Sequence, residues 1–296
     1  MESRAGARLL AVDYNDVSRL TLVLEANKIE MVICTINPLG SFDPELNLIQ
    51  AAEQSKCTKR FIPSAWGNKL TKEYVRYPSL ARCVGDEEMQ MVTTVGFRAC
   101  PYFYLAPGKL SVLATLDATS LEWTAVHTGL FMDYWLMPKI KSYLSPMTFV
   151  VDLPHRAAAI PGSGHVPVVF TYSSDIARYV ARLVGLPKWD KDSFIVGDKV
   201  TWNEFLGFAE EATGNTFTVV VDSMDKLESG HVSELPGHRE MYASAPKDNL
   251  QAAWSGVCRL CEDGGFDFEA SPSLAESFLD PKPRKVRESL LEAWRD

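Results

Sequence analysis

Several things are scarce in this 296-residue sequence, and each shortfall excludes something. No apolar run reaches the roughly eighteen residues needed to cross a bilayer. The N-terminal "MESRAGARLL" has no apolar signal region, so a cytoplasmic location is expected. Positive charge is short: 30 Lys and Arg against 38 Asp and Glu give a net charge of -8, the wrong sign for a phosphate-binding surface, and no nucleic-acid partner is expected. The six cysteines, Cys34, Cys57, Cys83, Cys100, Cys258 and Cys261, are scattered, which points to reduced thiols rather than a disulfide framework. "CRLC" at 258–261 has metal-like spacing but no second pair or histidine cluster, so it reads as one helix with two small apolar residues, and no metal is expected. Repeats and low-complexity linkers are also missing.

What is present is an alternation of strand and helix. "ARLLAVDY" is a compact apolar run, and Asp16 is a good N-cap for a helix with Val17, Leu20 and Leu24 on one face. "IEMVICTI" is nearly continuous in apolar residues, the pattern of a parallel strand buried on both faces. Asp43 reads as the cap and Pro44 as the first residue of the next helix, which leads into the short strand "KRFIPS". A βαβαβ order of this kind predicts a parallel sheet. Further on, a helix is expected over Lys109–Thr119 and a strand at "LEWTAVHTG", followed by the aromatic-rich "MDYWLMPKIKSYLSPM", a stretch suited to a pocket wall or an interface. "VPVVFTYSSDIARYVARLVG" reads as strand, serine cap and amphipathic helix. Thr201 and Glu204 form a capping box, Gly214 is a helix stop, "FTVVVDS" is a strand and "RKVRESLLEAW" is a terminal helix.

In doubly wound sheets ligands bind beyond the carboxyl ends of the strands, so strand-end residues are the candidates. These are Asp13 and Tyr14; Thr35, Ile36 and Asn37; Pro63 and Ser64; and His127, Thr128 and Gly129. Asp13 suits an adenine amino group, or simply a turn after a strand. Thr35–Asn37 and the Pro63–Ser64 turn can offer backbone groups to a ribose or nicotinamide, or are tight turns. His127 can orient a substrate or donate a proton, although one histidine beside a strand is more often structural. None of the eighteen glycines forms a G-x-G-x-x-G loop, and "PGSGHVP" at 161–167 is followed by a strand where such a loop needs a helix.

The order "VDYND", "VICTI", "KRFIPSAWGN", "KLSVLATLDATSLEWTAVHTGLFMDYW", "IPGSGHVPVVFTYSSDIARYV" and "GDKVTWNEFL" resembles the NmrA-like, isoflavone-reductase-like branch of the atypical short-chain dehydrogenases, particularly its fungal members. The likeness runs from about residue 7 to 240. It implies an α/β fold: a Rossmann-like, doubly wound parallel sheet with a smaller C-terminal α+β substrate lobe. Residues 1–150 would be the NAD(P)-binding part, and 151–296 a lobe interleaved with the same sheet.

By the same resemblance, NADP(H) or NAD(H) would be the cofactor and a small, aromatic or secondary-metabolite molecule the substrate. A homodimer is possible. Lys109, fourteen residues before Trp123, stands where the family has its catalytic lysine. Such a lysine contacts cofactor ribose and assists proton transfer.

Three departures stand against that pattern. The family's opening strand, glycine loop, first helix and second strand have no counterpart ahead of "GARLLAVDYND". The "PSEWG" turn reads "PSAWG", with Ala65 in place of the carboxylate, and residues 81–107 look longer than usual. Charge-assisted phosphate contacts are worth about 1.5–3 kcal/mol each, so weakened dinucleotide binding is expected. Two readings follow: an NAD(P)H-dependent reductase, or a cofactor-independent isomerase, cyclase or binding protein on the same fold. The strand at 31–36 would also have an open apolar edge, which residues 8–13, the 91–104 segment or a second subunit is expected to cover.

Overall fold

The computed structural model describes residues 7–37, 41–69, 101–243, 245–268, 273–278, 280 and 282–295, with backbone alone for 101–106. The 91–104 segment, put forward as an edge cover, lies mostly outside these residues. The chain divides into two compact units, one within Met1–Ser64 and Gly108–Ala125, the other within Ala65–Pro107 and Val126–Asp296.

The first unit holds α1 (Val17–Ala26), β1 (Met31–Ile33), α2 (Asp43–Gln54), β2 (Arg60–Ile62), α3 (Pro101–Asp117, from Gly108 onward) and β3 (Glu122–Trp123). Asp16 caps α1 as expected, its carboxylate accepting from the Arg19 amide at 2.9 Å, and Leu20 and Leu24 are buried. The strands form a parallel sheet in the order β1-β2-β3, with Met31 opposite Arg60 and Phe61 opposite Trp123. Apolar side chains drive the layering: Phe61 and Ile62 are fully buried, as are Ile49, Ala51 and Ala52 of α2 and Leu116 of α3.

Several expectations are corrected here. Residues 7–13 form no strand and no ladder with β1, so the expected covering of that edge by 8–13 does not occur. Among the described residues β1 is an edge strand, and its length falls to three residues. Apolar composition alone cannot make a strand without a partner for its ladder. Leu9 is 72% exposed, Leu10 41% and Ile33 45%, so β1 is not buried on both faces. Helix α2 begins one residue earlier than read, with Phe42 as N-cap and Pro44 in the first turn.

The second unit contains β4 (Ala125–His127, from Val126 onward), β5 (Leu130–Phe131), α4 (Asp133–Leu136), β6 (Val151–Asp152), β7 (Ala157–Pro161), β8 (Pro167–Thr171), α5 (Ser173–Leu183), β9 (Asp192–Phe194) and β10 (Asp198–Thr201). It continues with α6 (Trp202–Thr213), β11 (Thr218–Asp222), α7 (Met224–Glu228), α8 (His238–Met241), α9 (Lys247–Glu262), α10 (Leu274–Ser277) and α11 (Val286–Trp294). Its sheets are β10-β8-β5, β11-β7-β6 and β4-β9. β8 runs parallel to β5 and antiparallel to β10, and β7 runs parallel to β11 and antiparallel to β6.

The capping box predicted for Thr201 and Glu204 forms, and Gly214 ends α6 at φ 64°, a left-handed conformation that glycine adopts freely. The serine cap of α5 does not form. Tyr172 is the N-cap, and the buried Asp133 carboxylate instead accepts from the Ser173 amide at 2.8 Å and from its hydroxyl at 2.5 Å. Cys258 and Cys261 sit buried on α9, the small apolar residues of a packed helix.

The core of this unit is aromatic. Trp202 lies with its ring centroid 5.4 Å from Trp135, 5.2 Å from Phe170 and 5.5 Å from Phe205, edge-to-face or tilted. Each ring of this size contributes roughly 2–3 kcal/mol by leaving water.

Candidate functional site

In the first unit, the residues after β1 and β2 meet around one buried carboxylate. Glu45 occupies the first turn of α2, where the helix dipole favours negative charge, and is only 3% exposed. Its Oε1 accepts the Ser64 amide at 2.6 Å, a short charge-assisted bond. The Ser64 hydroxyl donates to the Ile36 carbonyl at 2.9 Å. The Cys34 thiol, also buried, hydrogen-bonds to the Glu45 carboxylate. Burial, reinforced by the Glu45 charge, pushes that thiol up to about 12, so it stays protonated and unreactive. Burial also raises the Glu45 carboxyl above its ordinary value, while the Ser64 amide, the Cys34 thiol and the charge of Lys109 pull it back.

Lys109 is the cation of this group. It lies in the middle of α3, which begins at Pro101, and so does not open a helix as the sequence suggested. Burial, not a place at a helix end, is what perturbs it. Desolvation lowers the amine to about 8, against the opposing charge of Glu45. An amine poised there exchanges protons near neutral pH, which an ordinary surface lysine does not.

The other strand-end candidates of this unit are less gathered. Asp13 is exposed, and its Oδ1 accepts from the Asn15 amide at 2.9 Å and the Asn15 side chain at 3.2 Å, so it closes a turn. The carbonyl of Tyr14 accepts from Asn47 at 2.8 Å. Thr35 and Asn37 are exposed beyond β1, Ile36 is half-buried and Pro63 buried. Both donors of Ser64 are engaged inside the protein, and among the described residues of this unit Thr35 carries a hydroxyl, Asn37 a carboxamide and Lys109 an amine.

In the second unit His127 is 2% exposed at the end of β4. Its Nε2 lies 2.7 Å from Asp192 Oδ1, and Lys69 Nζ lies 2.7 Å from Asp192 Oδ2. The hydrogen bond from His127, with Lys69 adding to it, holds the Asp192 carboxyl down at about 2. The ring packs 4.9 Å from Phe194, while Nδ1 is buried without a hydrogen-bond partner. The Thr128 and Gly129 amides both donate to the Gly67 carbonyl, at 2.8 and 3.1 Å.

This unit also contains a pocket of about 460 Å³, walled by Tyr134, Trp135, Met137, Ile140, Asp152 and Trp294 among others. The aromatic-rich stretch read from the sequence supplies most of that wall. Among the described residues no group of three or more His, Cys, Asp or Glu is arranged to hold a metal, and no helix is long and apolar enough to cross a membrane.

Sequence reasoning missed Glu45, Cys34, Lys69 and Asp192. A carboxylate three residues into a helix reads as a routine first-turn charge, and only its burial marks it out. Asp192 stands 65 residues from His127, a separation no local pattern can bridge.

No protein-family model matches the chain. It is 32% identical over 281 residues to the oxidoreductase BOA1 of Botryotinia fuckeliana (strain B05.10), a match covering 93% of this chain and 83% of that protein. Among solved structures it is similar to the leucoanthocyanidin reductase–NADPH binary complex of Vitis vinifera, with a TM-score of 0.67 and 16% identity over 99% of this chain and 84% of that one. It is also similar to an isoflavone reductase, with a TM-score of 0.65 and 18% identity over 97% and 82%. The two structural likenesses share the α/β fold with parallel sheets.

Proposed function

We propose that this chain, which belongs to the NmrA-like, isoflavone-reductase-like family of oxidoreductases, reduces a small aromatic or secondary-metabolite molecule with NADPH or NADH, using Lys109 as its acid–base residue. The observation that carries this reading is the buried Glu45 carboxylate, held by the Ser64 amide at 2.6 Å beyond β2 at the carboxyl edge of a parallel sheet, whose charge acts on a Lys109 amine that burial lowers to about 8. Ligands of doubly wound sheets bind at that edge.

The polar set there fits the sugar end of a dinucleotide: a hydroxyl at Thr35, a carboxamide at Asn37 and an ammonium at Lys109 match ribose hydroxyls in type. Among the described residues of this edge no comparable set matches a pyrophosphate. When bound, the nicotinamide supplies hydride. Lys109 would bind a ribose hydroxyl and, in its protonated form, give its proton to the substrate oxygen that gains negative charge. The charge of Glu45 favours the ammonium form of Lys109, and so its reprotonation after the proton has left. Such proton transfer contributes typically 10²–10⁴-fold to rate. Within the second unit taken by itself, the 460 Å³ pocket walled by Trp135, Tyr134 and Trp294 has the size and lining that suit a small aromatic molecule.

Titration of the purified chain with NADPH and with NADH, by fluorescence or calorimetry, tests the reading, alongside Lys109→Met. Saturable binding that Lys109→Met weakens is the expected result. No binding of either dinucleotide, with turnover still measurable, would replace the reductase by a cofactor-independent enzyme on the same fold.

A further inference from the structure

Strand β11 leaves one edge of its sheet open. It lies at the end of the order β11-β7-β6 and pairs with β7 alone among the described residues. The Thr218 amide donates to the Arg156 carbonyl at 2.8 Å, and the Asp222 carbonyl accepts from the Gly162 amide at 2.9 Å. Alternate residues of an extended strand direct their amide and carbonyl the same way, so Thr218, Val220 and Asp222 face β7. Val219 and Val221 therefore point both main-chain groups outward, where nothing among the described residues meets them. Phe217, the outward residue before them, has its amide taken by Glu210 Oε1 at 2.9 Å, which bounds the open stretch at that end.

The side chains are as open as the edge. Val219, Val220 and Val221 are 43%, 42% and 66% exposed, and because they alternate, neither face of the strand is covered there. Edge strands of soluble proteins are ordinarily blunted by lysine, proline or a bulge. From Thr216 to Val221 the chain has no charge and no proline, only threonine, phenylalanine and valine, all strong strand formers. Such a stretch calls for a partner strand.

The outward groups are symmetric about Val220, and that symmetry selects the partner. A second β11 laid antiparallel on a two-fold axis at Val220 sets Val219 opposite Val221 of the partner subunit, and Val221 opposite its Val219. Each of these pairs exchanges two N–H to C=O bonds, and Val220 meets its own counterpart at the close, non-hydrogen-bonded position. The charges agree. Arg156 is exposed beside the start of β11 and Asp225 just beyond its end, and antiparallel pairing brings the start of one strand to the end of the other.

We propose that β11 is a homodimer interface, at which two copies of this chain join their three-stranded sheets edge to edge through Val219, Val220 and Val221. Two five-residue strands cover less than the roughly 1,200 Å² of a standard complex, so the dimer is weak, with a dissociation constant in the micromolar range. It forms whether or not the chain is a reductase.

Sedimentation velocity of the purified chain from about 1 to 300 µM tests this, a range that brackets micromolar association. The mass is expected to rise from 33.0 kDa toward twice that value. Val220→Lys sets two like charges opposite each other across the axis, and Val221→Pro removes an outward N–H while leaving those that face β7. Both are expected to stay monomeric. Oxidised glutathione is expected to cross-link Val220→Cys into a covalent dimer, because the two residues meet at the axis, and to leave Val219→Cys at the level of the native chain. A native chain that is monomeric throughout overturns the proposal. So does a dimer that survives both Val220→Lys and Val221→Pro, or one in which Val219→Cys cross-links as fast as Val220→Cys. Should either monomeric variant fail to fold, the two cysteine variants decide the matter.

Discussion

His238 makes the second unit sensitive to mild acid. The ring is 1% exposed and stacks on Trp254 with centroids 4.0 Å apart and planes 19° from parallel. Its Nδ1 accepts the Leu235 amide at 3.2 Å, which requires that nitrogen to be unprotonated. Burial lowers the imidazole from 6.5 to about 4, although the nearby acidic groups of Asp152, Glu234 and Asp222 pull the other way. Between those two values the unfolded chain binds a proton that the folded chain refuses, so stability rises with pH across that window and is lost as pH falls through it. With one pH unit worth about 1.4 kcal/mol, the loss on going from pH 7 to 5 comes to ~2 kcal/mol, and the full shift caps it at about 3. His238→Phe keeps a ring on Trp254 and removes the titration. It forfeits the Leu235 bond at a pH-independent cost of ~1 kcal/mol. Urea unfolding of both proteins at pH 7 and pH 5 is the assay, and other acidic groups cancel in the comparison. The variant should lose ~2 kcal/mol less than the native chain between the two conditions. Equal losses would refute a buried neutral imidazole at this position. The consequence reaches the pocket, because Asp152 lines it and also holds the Gly237 amide at 2.8 Å, next to His238.

Two further outcomes are expected. Asp133→Ala strips the buried partners of Ser142 and of the first residue of α5, and should lower unfolding free energy by ~3 kcal/mol in denaturant titration. Gly129→Ala places a Cβ 2.1 Å from the Val169 carbonyl oxygen at a φ of 69°, so a loss of ~2 kcal/mol or more is expected, measured in the same way.

Local chemistry was legible wherever a few neighbouring residues decide the outcome. Asp16 caps α1 through the Arg19 amide, Thr201 and Glu204 close their box, and Gly214 turns left-handed, because each of these is settled within four residues of chain. Two errors share one cause. "ARLLAVDY" has the composition of a strand but no ladder partner at the edge of β1, and Ser173 has the chemistry of a cap but gives way to an aspartate forty residues earlier. In both places a partner distant in sequence, absent or present, overrode the local preference.

The sequence by itself determined the βα alternation, the family resemblance and the choice of Lys109. All three depend on residue order, and order survives without coordinates. What Lys109 is chemically was decided only by tertiary structure. Depth within the fold sets the desolvation that lowers its amine, and the charge of Glu45, carried by a different helix, opposes that shift. The same holds for His127, whose partner Asp192 arrives from another strand. Charge and burial are properties of the assembled interior, where the dielectric falls and partners far apart in the chain come within a few ångströms.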